Sequence, residues 1–247
     1  MPDRSIAVII PAHNEERHLP ACLDAVEAAR ARYSGALETV VVCNRCTDAT
    51  EAIARAYGAR TIRDESRCLA TIRNAGVAAS DAEVIVTCDA DSRLHPATFG
   101  LVVEALEGGA VGGGVDVRFD RRSLGIRCTE LLLDLMVRIT GVPCGAFWTT
   151  RAAFDAIGGF DERLPMSEDL DFGKRLRRWG RARALDYRRL AGAPLLTSAR
   201  KFDAYGDWSF FRMMVFDALR IRRSLRGDDT DFVDEYFYDF NDRVRRE

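Results

Sequence analysis

Residues 5–16 read SIAVIIPAHNEE, and the fold of the whole chain turns on this stretch. Ile6–Ile10 is an unbroken apolar run rich in β-branched residues and stopped by Pro11. It lacks the alternation of a half-exposed strand, so it reads as a strand buried on both faces. Leu19, Leu23 and Val26 then recur at helical spacing, which makes a strand feeding a helix. A strand covered on both sides needs helices on both sides, and that requirement points to a parallel α/β sheet.

The unit repeats downstream. Leu37–Cys43 (LETVVVC) is a second strand, Asp48 stands where an N-cap belongs, and Ala52, Ile53, Ala56 and Tyr57 line a helix closed by Gly58. Ala59–Arg63 is a short third strand, Leu69–Ala79 a helix, Glu83–Cys88 a fourth strand, and Pro96–Leu106 a helix followed by Gly108-Gly109. The expected fold is therefore α/β, a mostly parallel central sheet with helices on both faces. Beyond Gly109 come a glycine-rich strand (Ala110–Phe119), a mostly apolar helix (Ser123–Thr140), a strand (Gly145–Thr149) and a short helix (Arg151–Ile157). Gly158-Gly159 breaks the chain before a helix over Glu168–Trp179 that Gly180 stops. From Leu195 the sequence reads as an arm carrying Arg200 and Lys201, then a helix near Asp207–Arg226 and an acidic-aromatic tail, Asp231–Asn241. The expected organisation is one domain over 1–205, with halves 5–107 and 108–205, and a helical extension over 206–247.

Composition excludes several classes. With 36 Lys+Arg against 38 Asp+Glu the net charge is −2, so no global basic field exists to hold nucleic acid. The basic cluster from Lys174 to Arg183 is expected to be a solvated helix face. Hydrophobic residues make up 47%, far from the composition of disordered chains. The apolar run before Pro11 is shorter than a signal-peptide core, and Leu131–Trp148 is interrupted by Asp134, Arg138 and Pro143, so neither a leader nor a membrane span is expected. Seven cysteines without framework spacing fit reduced thiols in a cytoplasmic protein, and Cys43–Cys46 is a single CxxC without a second pair, read as loop and core cysteines. Core packing is the expectation for Leu131–Ile139; contact with the inner face of a membrane, through that helix and the tail YFYDF, is the alternative.

In an open α/β sheet ligands bind beyond the carboxyl ends of the strands, and polar groups stand there three times. After strand one come Pro11, Ala12, His13, Asn14 and Glu15; after strand two, Cys43, Asn44 and Asp48; after strand four, Asp89-Ala90-Asp91. Two aspartates one residue apart repel each other and favour a divalent cation, although capping aspartates before a helix would look the same. Glu168-Asp169 is a second acidic pair at a helix start, where acids also serve as caps. Arg73 and Asn74 lie in the helix after strand three, and an arginine near metal-bound aspartates would suit a diphosphate.

As a set, VIIPAHNEE (8–16), CNRCTDAT (43–50), RNAG (73–76), DAD (89–91), GGFDE (158–162) and SEDLDFGKRLRRWG (167–180) resemble the family 2 glycosyltransferases of GT-A fold, in order and spacing, over residues 5–190. The resemblance implies transfer of a glycosyl group from a nucleoside diphosphate sugar to a hydroxyl acceptor, with inversion, aided by Mg or Mn. It implies that Pro11, Ala12, His13, Glu15, Cys43 and Ala90 line the nucleotide-sugar pocket and that Arg73 faces the diphosphate. Asp89 and Asp91 would hold ribose and metal, Asp169 would be the base, and Glu168 would stand on the acceptor side. Three departures qualify the match. Cys43 stands where relatives usually carry Asp, which weakens the expectation of uracil recognition. The QxxRW motif of processive synthases is absent, so a single transfer is implied. The only histidines are His13, His18 and His95, so a C-terminal histidine ligand is missing and Arg200 with Lys201 is the alternative contact to the phosphates. A sugar nucleotidyltransferase is disfavoured because PAHNEERHL contains no glycine, and a non-catalytic nucleotide-sugar binder is disfavoured by the presence of both Asp91 and Asp169.

Overall fold

The computed structural model describes residues 4–143, 145–164 and 167–216. The first half follows the repeating pattern: β1 (Ile6–Ala12), α1 (Leu19–Arg30), β2 (Leu37–Asn44), α2 (Thr50–Ala56), β3 (Arg60–Asp64), α3 (Leu69–Ala78) and β4 (Val84–Thr87). These strands lie in the order β3-β2-β1-β4, all parallel, with Ile9 level with Val40 on one side and Thr87 on the other. The apolar run splits between two cores, as a doubly covered strand requires. Ile6, Val8 and Ile10 join Val41 and Val86 on one face, and Ala7 and Ile9 join Val40, Val42 and Ile85 on the other. Gly76 lets α3 lie directly on the sheet, because a Cβ there would overlap the side chains of Ile9 and Val42.

The second half contains β5 (Ser92–Arg93), α4 (Thr98–Glu107), β6 (Ala110–Phe119), α5 (Leu124–Thr140), β7 (Phe147–Thr150), α6 (Arg151–Ala156), α7 (Glu168–Arg181), β8 (Asp186–Thr197), α8 (Arg200–Tyr205) and α9 (Ser209–Phe216). The sheet continues β4-β7-β6-β8-β5. Here β7 runs antiparallel to both neighbours, β8 is parallel to β6, and β5 is antiparallel to β8. The uninterrupted parallel run read from the sequence is the first half, and the second half mixes one parallel pairing, β6 with β8, with antiparallel ones.

Two expectations change, and a third is only partly covered by the described residues. The arm expected from Leu195 is the end of β8, a twelve-residue strand whose irregular exposure and internal Gly192 and Pro194 hide its period. The helix expected near Asp207–Arg226 is described as α9; the rest of it, and the tail Asp231–Asn241, lie outside the described residues. Leu131–Ile139 does not pack wholly into the core: Leu131, Leu135 and Ile139 face outward, because the inner side of α5 is already filled by Gly125, Ile126 and Thr129 and by the ion pair of Asp134 with Arg118. Among the described residues no helix is long and apolar enough to cross a membrane.

Candidate active site

The loop after β1 and the loop after β2 are tied to each other before any ligand arrives. Asn14 and Arg45 both take left-handed backbone conformations, at φ 53° and 48°, which turns each chain sharply off its strand. The Asn14 Oδ1 accepts the Thr47 N–H at 2.8 Å, His13 Nδ1 donates to the Asn44 carbonyl at 2.7 Å, and the Cys46 thiol donates to the Ala12 carbonyl at 3.3 Å. Asp48 stands one residue ahead of the Ala49 N-cap rather than at it; it accepts from the Thr50 N–H at the start of α2 and from the Glu16 N–H, each at 3.0 Å, and so anchors the first loop to the second. Pro11 and Ala12 pair with Val42 and Cys43 across the sheet, and Ala90 is buried beneath them in the same core as Ala12 and Cys43. The Cys43 thiol is hydrogen-bonded to Cys46 and buried, which holds it protonated and pushes its pKa up, while Cys46 is lowered by the same bond.

Two clusters of charge stand over the strand ends. In the first, Arg73 on α3 is buried and donates from Nη1 to Glu168 Oε1 at 2.6 Å and from Nη2 to Asp89 Oδ1 at 3.1 Å, with its guanidinium 5.4 Å from the Phe160 ring centre. Its Nε is buried with no acceptor among the described residues, a donor suited to an anionic ligand. The neighbouring Asn74 clasps the GGFDE turn: its Nδ2 donates to the Phe160 carbonyl and to Glu162 Oε1, both at 2.9 Å, and its Oδ1 accepts the Phe160 N–H at 2.9 Å. Gly159, at φ 66°, is required there, because a Cβ would sit 2.8 Å from Asn74 Oδ1. RNAG and GGFDE are therefore one structural unit. Each motif was visible in the sequence; their contact was not.

Glu168 and Asp169 open α7 behind Ser167, a non-glycine residue held at φ 61°. Burial, with the Glu168 charge added, raises the Asp169 carboxyl to about 6, against the pull of Arg73 and of the Leu170 N–H that it accepts at 2.6 Å.

The second cluster depends on a pairing the sequence did not reveal. The two-residue strand β5 follows Asp91 directly and pairs with the end of β8, Ser92 opposite Thr197, with their hydroxyls 2.8 Å apart and the Ser198 N–H donating to the Asp91 carbonyl at 3.1 Å. This brings α8 to the strand ends. Arg200 donates to the buried Glu15 carboxylate from Nη1 (2.8 Å) and Nη2 (2.6 Å) and reaches Asp91 Oδ2 at 2.9 Å. Burial pushes the adjacent Lys201 ammonium down to about 8, against the attraction of Asp91, Asp89 and Glu15. Glu15, Arg73, Asp89, Asp91, Glu168, Asp169 and Arg200 thus converge, whereas Cys43 lies below them in the core.

Whether a divalent cation fits is decided by the donor set. Asp89 and Asp91 offer hard carboxylate oxygens, the Asp89 side chain largely open to solvent, but among the described residues no three acidic, histidine or cysteine side chains are placed to hold a metal ion by themselves. A Mg or Mn ion suits such a pair only with phosphate oxygens completing its shell, the arrangement usual for nucleotide-bound Mg.

A model of the glycosyl transferase family 2 matches residues 7–157. Uncharacterized glycosyltransferases of Mycobacterium tuberculosis and Mycobacterium bovis are 29% identical to this chain over 106 residues, 43% of it and 45% of each of them, so the match spans less than half the length of these relatives. S. aureus TarS 1-349 in complex with UDP shares the fold at a TM-score of 0.63 and 16% identity, over 98% of this chain and 72% of that one. PcManGT from Pyrobaculum calidifontis, a mannosyltransferase in complex with GDP-Man and Mn2+, gives 0.60 and 20% over 87% and 64%. Glucosyl-3-phosphoglycerate synthase from M. tuberculosis, with Mn2+, UDP and glucosyl-3-phosphoglycerate, gives 0.55 and 20% over 86% and 79%. The family match ends before Glu168 and Arg200, yet the three structures cover the acidic pair's half as well, and the strand ends carry the charged groups expected from the motifs. The chain belongs to glycosyl transferase family 2 and has its GT-A fold.

Proposed function

We propose that this chain transfers a glycosyl group from a nucleoside diphosphate sugar to a hydroxyl acceptor, with inversion, one sugar per encounter, in the cytoplasm. The observation that carries this reading is the placing of Asp169, a carboxyl raised to about 6, beside the Glu168–Arg73–Asp89 chain of contacts at the ends of β1 and β4. A carboxylate of that affinity is ionised at neutral pH yet basic enough to take a proton from an attacking hydroxyl. In-line attack on the anomeric carbon, opposite the departing diphosphate, inverts its configuration and requires no covalent intermediate. The loop from Pro11 to Glu15 lines the nucleoside side, with His13 fixed by Asn44. Arg73, with a spare Nε–H, and the Arg200–Lys201 pair supply positive charge toward the diphosphate, where developing charge is stabilised most in a dry, preorganised setting. Asp91 and Asp89 would hold a Mg or Mn ion together with phosphate oxygens, and such an ion neutralises charge on the leaving group. Glu168, locked to Arg73 at 2.6 Å, positions that guanidinium and borders the acceptor side. The solved relatives with UDP, GDP-Man and Mn2+ bound support a donor of this class.

The test is calorimetry of UDP, GDP and their sugar conjugates with Mn2+, Mg2+ or chelator, followed by NMR of the anomeric configuration of any product. Binding of no nucleotide under any condition, or a product of retained configuration, would overturn the reading.

A further inference from the structure

The outer side of α5 carries a surface that the reaction does not use. Leu124, Leu131, Leu135 and Ile139 are 71%, 68%, 51% and 75% exposed. They recur at steps of seven, four and four, which a helix of 3.6 residues per turn gathers into one stripe. At 100° per residue Arg127 and Arg138 fall along one edge of that stripe, both exposed, and exposed Arg122 lies just ahead of the helix. The acids of α5 are engaged on other partners: Glu130 accepts the Phe119 N–H at 3.0 Å, and Asp134 pairs with Arg118 at 3.1 Å. Trp208 extends the apolar surface. It follows Asp207, whose carbonyl lies so close to Gly125 at the start of α5 that a Cβ there would come within 2.5 Å of it, and the indole is exposed.

We propose that this face docks on the surface of an anionic lipid bilayer. An apolar stripe bordered by arginines, with the acids drawn away and a tryptophan at one end, is the pattern of a helix that lies in the headgroup boundary. The charge complementarity selects the lipid: among the described residues no ion pair engages the exposed Arg122, Arg127 and Arg138 beside the apolar stripe, so an anionic surface satisfies cations and apolar groups together. The depth of insertion is shallow, since no described helix can cross a bilayer. Docking also bears on the strand ends. Ile126, on the inner side of α5, packs with Ala199 and Phe202, which bracket Arg200 and Lys201, so a lipid-held α5 steadies the segment that reaches Asp91. The inference is independent of the reaction proposed above.

The experiment is co-sedimentation of the full chain with vesicles of phosphatidylcholine, alone or mixed with phosphatidylglycerol, at low and high salt. The chain is expected to bind the mixed vesicles, less at high salt, and the triple variant Leu131→Ser, Leu135→Ser, Ile139→Ser is expected to lose at least about tenfold in partitioning with an unchanged melting temperature. Arg127→Gln with Arg138→Gln should weaken binding to mixed vesicles while leaving any binding to phosphatidylcholine alone unaltered. Absence of binding by the unaltered chain, or equal binding by the triple variant, overturns the proposal. Light scattering and hydrogen exchange on the free protein cover the other occupants: a dimer that the triple variant dissociates assigns the stripe to a second copy, and protection of α5 that persists in a monomer assigns it to the chain's own residues 217–247. Either result, without vesicle binding, also overturns it.

Discussion

Arg200 lies 2.9 Å from Asp91, and the same guanidinium grips Glu15 at 2.6 Å, so one residue of the C-terminal region bridges the loop after β1 to the motif after β4. A cation already stands at the carboxylate expected to bind metal. Arg200→Ala should therefore remove two charge-assisted hydrogen bonds from the buried Glu15 carboxylate, at a cost of about 1–3 kcal/mol, and lower the melting temperature by several degrees. Added Mn2+ should raise the melting temperature of this variant more than that of the unaltered chain, because the ion no longer displaces a guanidinium. Equal Mn2+ shifts in the two proteins would show that ion and arginine do not share Asp91.

Asp91→Asn removes the charge that both Arg200 and a divalent ion would use. Metal-dependent affinity for UDP or GDP should disappear in calorimetry while circular dichroism stays the same. Unaltered metal-dependent affinity in the variant would place the ion elsewhere.

Gly159→Ala tests the clasp between GGFDE and α3. The substitution forces a non-glycine residue to φ 66° and drives a methyl group to 2.8 Å from Asn74 Oδ1, beside Arg73. Stability should fall by about 1–3 kcal/mol, and nucleotide affinity should fall with it because Arg73 is displaced. A loss of stability with full affinity would separate the clasp from the arginine's placement.

The parts of this architecture that were legible in the sequence are those with a strong local signal. Ile6–Ile10 and Val40–Cys43, the apolar part of the strand read over Leu37–Cys43, are continuous apolar runs because helices cover both faces, and such strands announce themselves. The register of Asp89 and Asp91 followed from the strand before them. What stayed hidden is long-range. The strand β5 has two residues and no pattern, and β8 alternates imperfectly around Gly192 and Pro194, so their pairing, which delivers Arg200, left no local trace. The outward face of α5 was hidden for another reason: leucines read as core unless the position of the neighbouring elements is known.

Cys43 illustrates the same limit. The resemblance places Cys43 in the nucleotide-sugar pocket, with uracil recognition weakened by the change from Asp, whereas the side chain is buried in the core beside Cys46, with Glu51 close enough to raise its pKa further. The unaltered chain is expected to discriminate weakly between UDP and GDP. Cys43→Asp should lower the melting temperature, since a buried carboxylate near Glu51 is penalised, whereas Cys43→Ser should leave nucleotide preference unchanged. Calorimetry with both nucleotides decides. A tenfold gain for UDP alone in Cys43→Asp would show that the position does reach the base.

Asp169 gives the sharpest test, because reactivity and stability should move in opposite directions. As the proton acceptor it must be ionised, so transfer should fall as pH drops through about 6 and level off above it. Asp169→Asn should reduce turnover by about 10²–10⁴-fold with little change in donor affinity. The stability sign is the reverse of the usual acid case. A carboxyl whose folded pKa, about 6, lies above its ordinary value near 3.8 holds its proton more tightly in the folded chain, so its favourable contribution is complete below pH 4 and is lost as pH rises through 6. Above pH 7 the ionised side chain, confined beside Glu168, weakens the fold by about 1–3 kcal/mol. The asparagine variant should therefore melt higher than the unaltered chain at pH 7.5 and should lose that advantage near pH 4.5. Melting curves across this range, together with rates of nucleotide release, check both halves. A variant that retains turnover would move the base to another group, with Glu168 next in line, and one that gains no stability at pH 7.5 would mean that Asp169 is not strained by its surroundings.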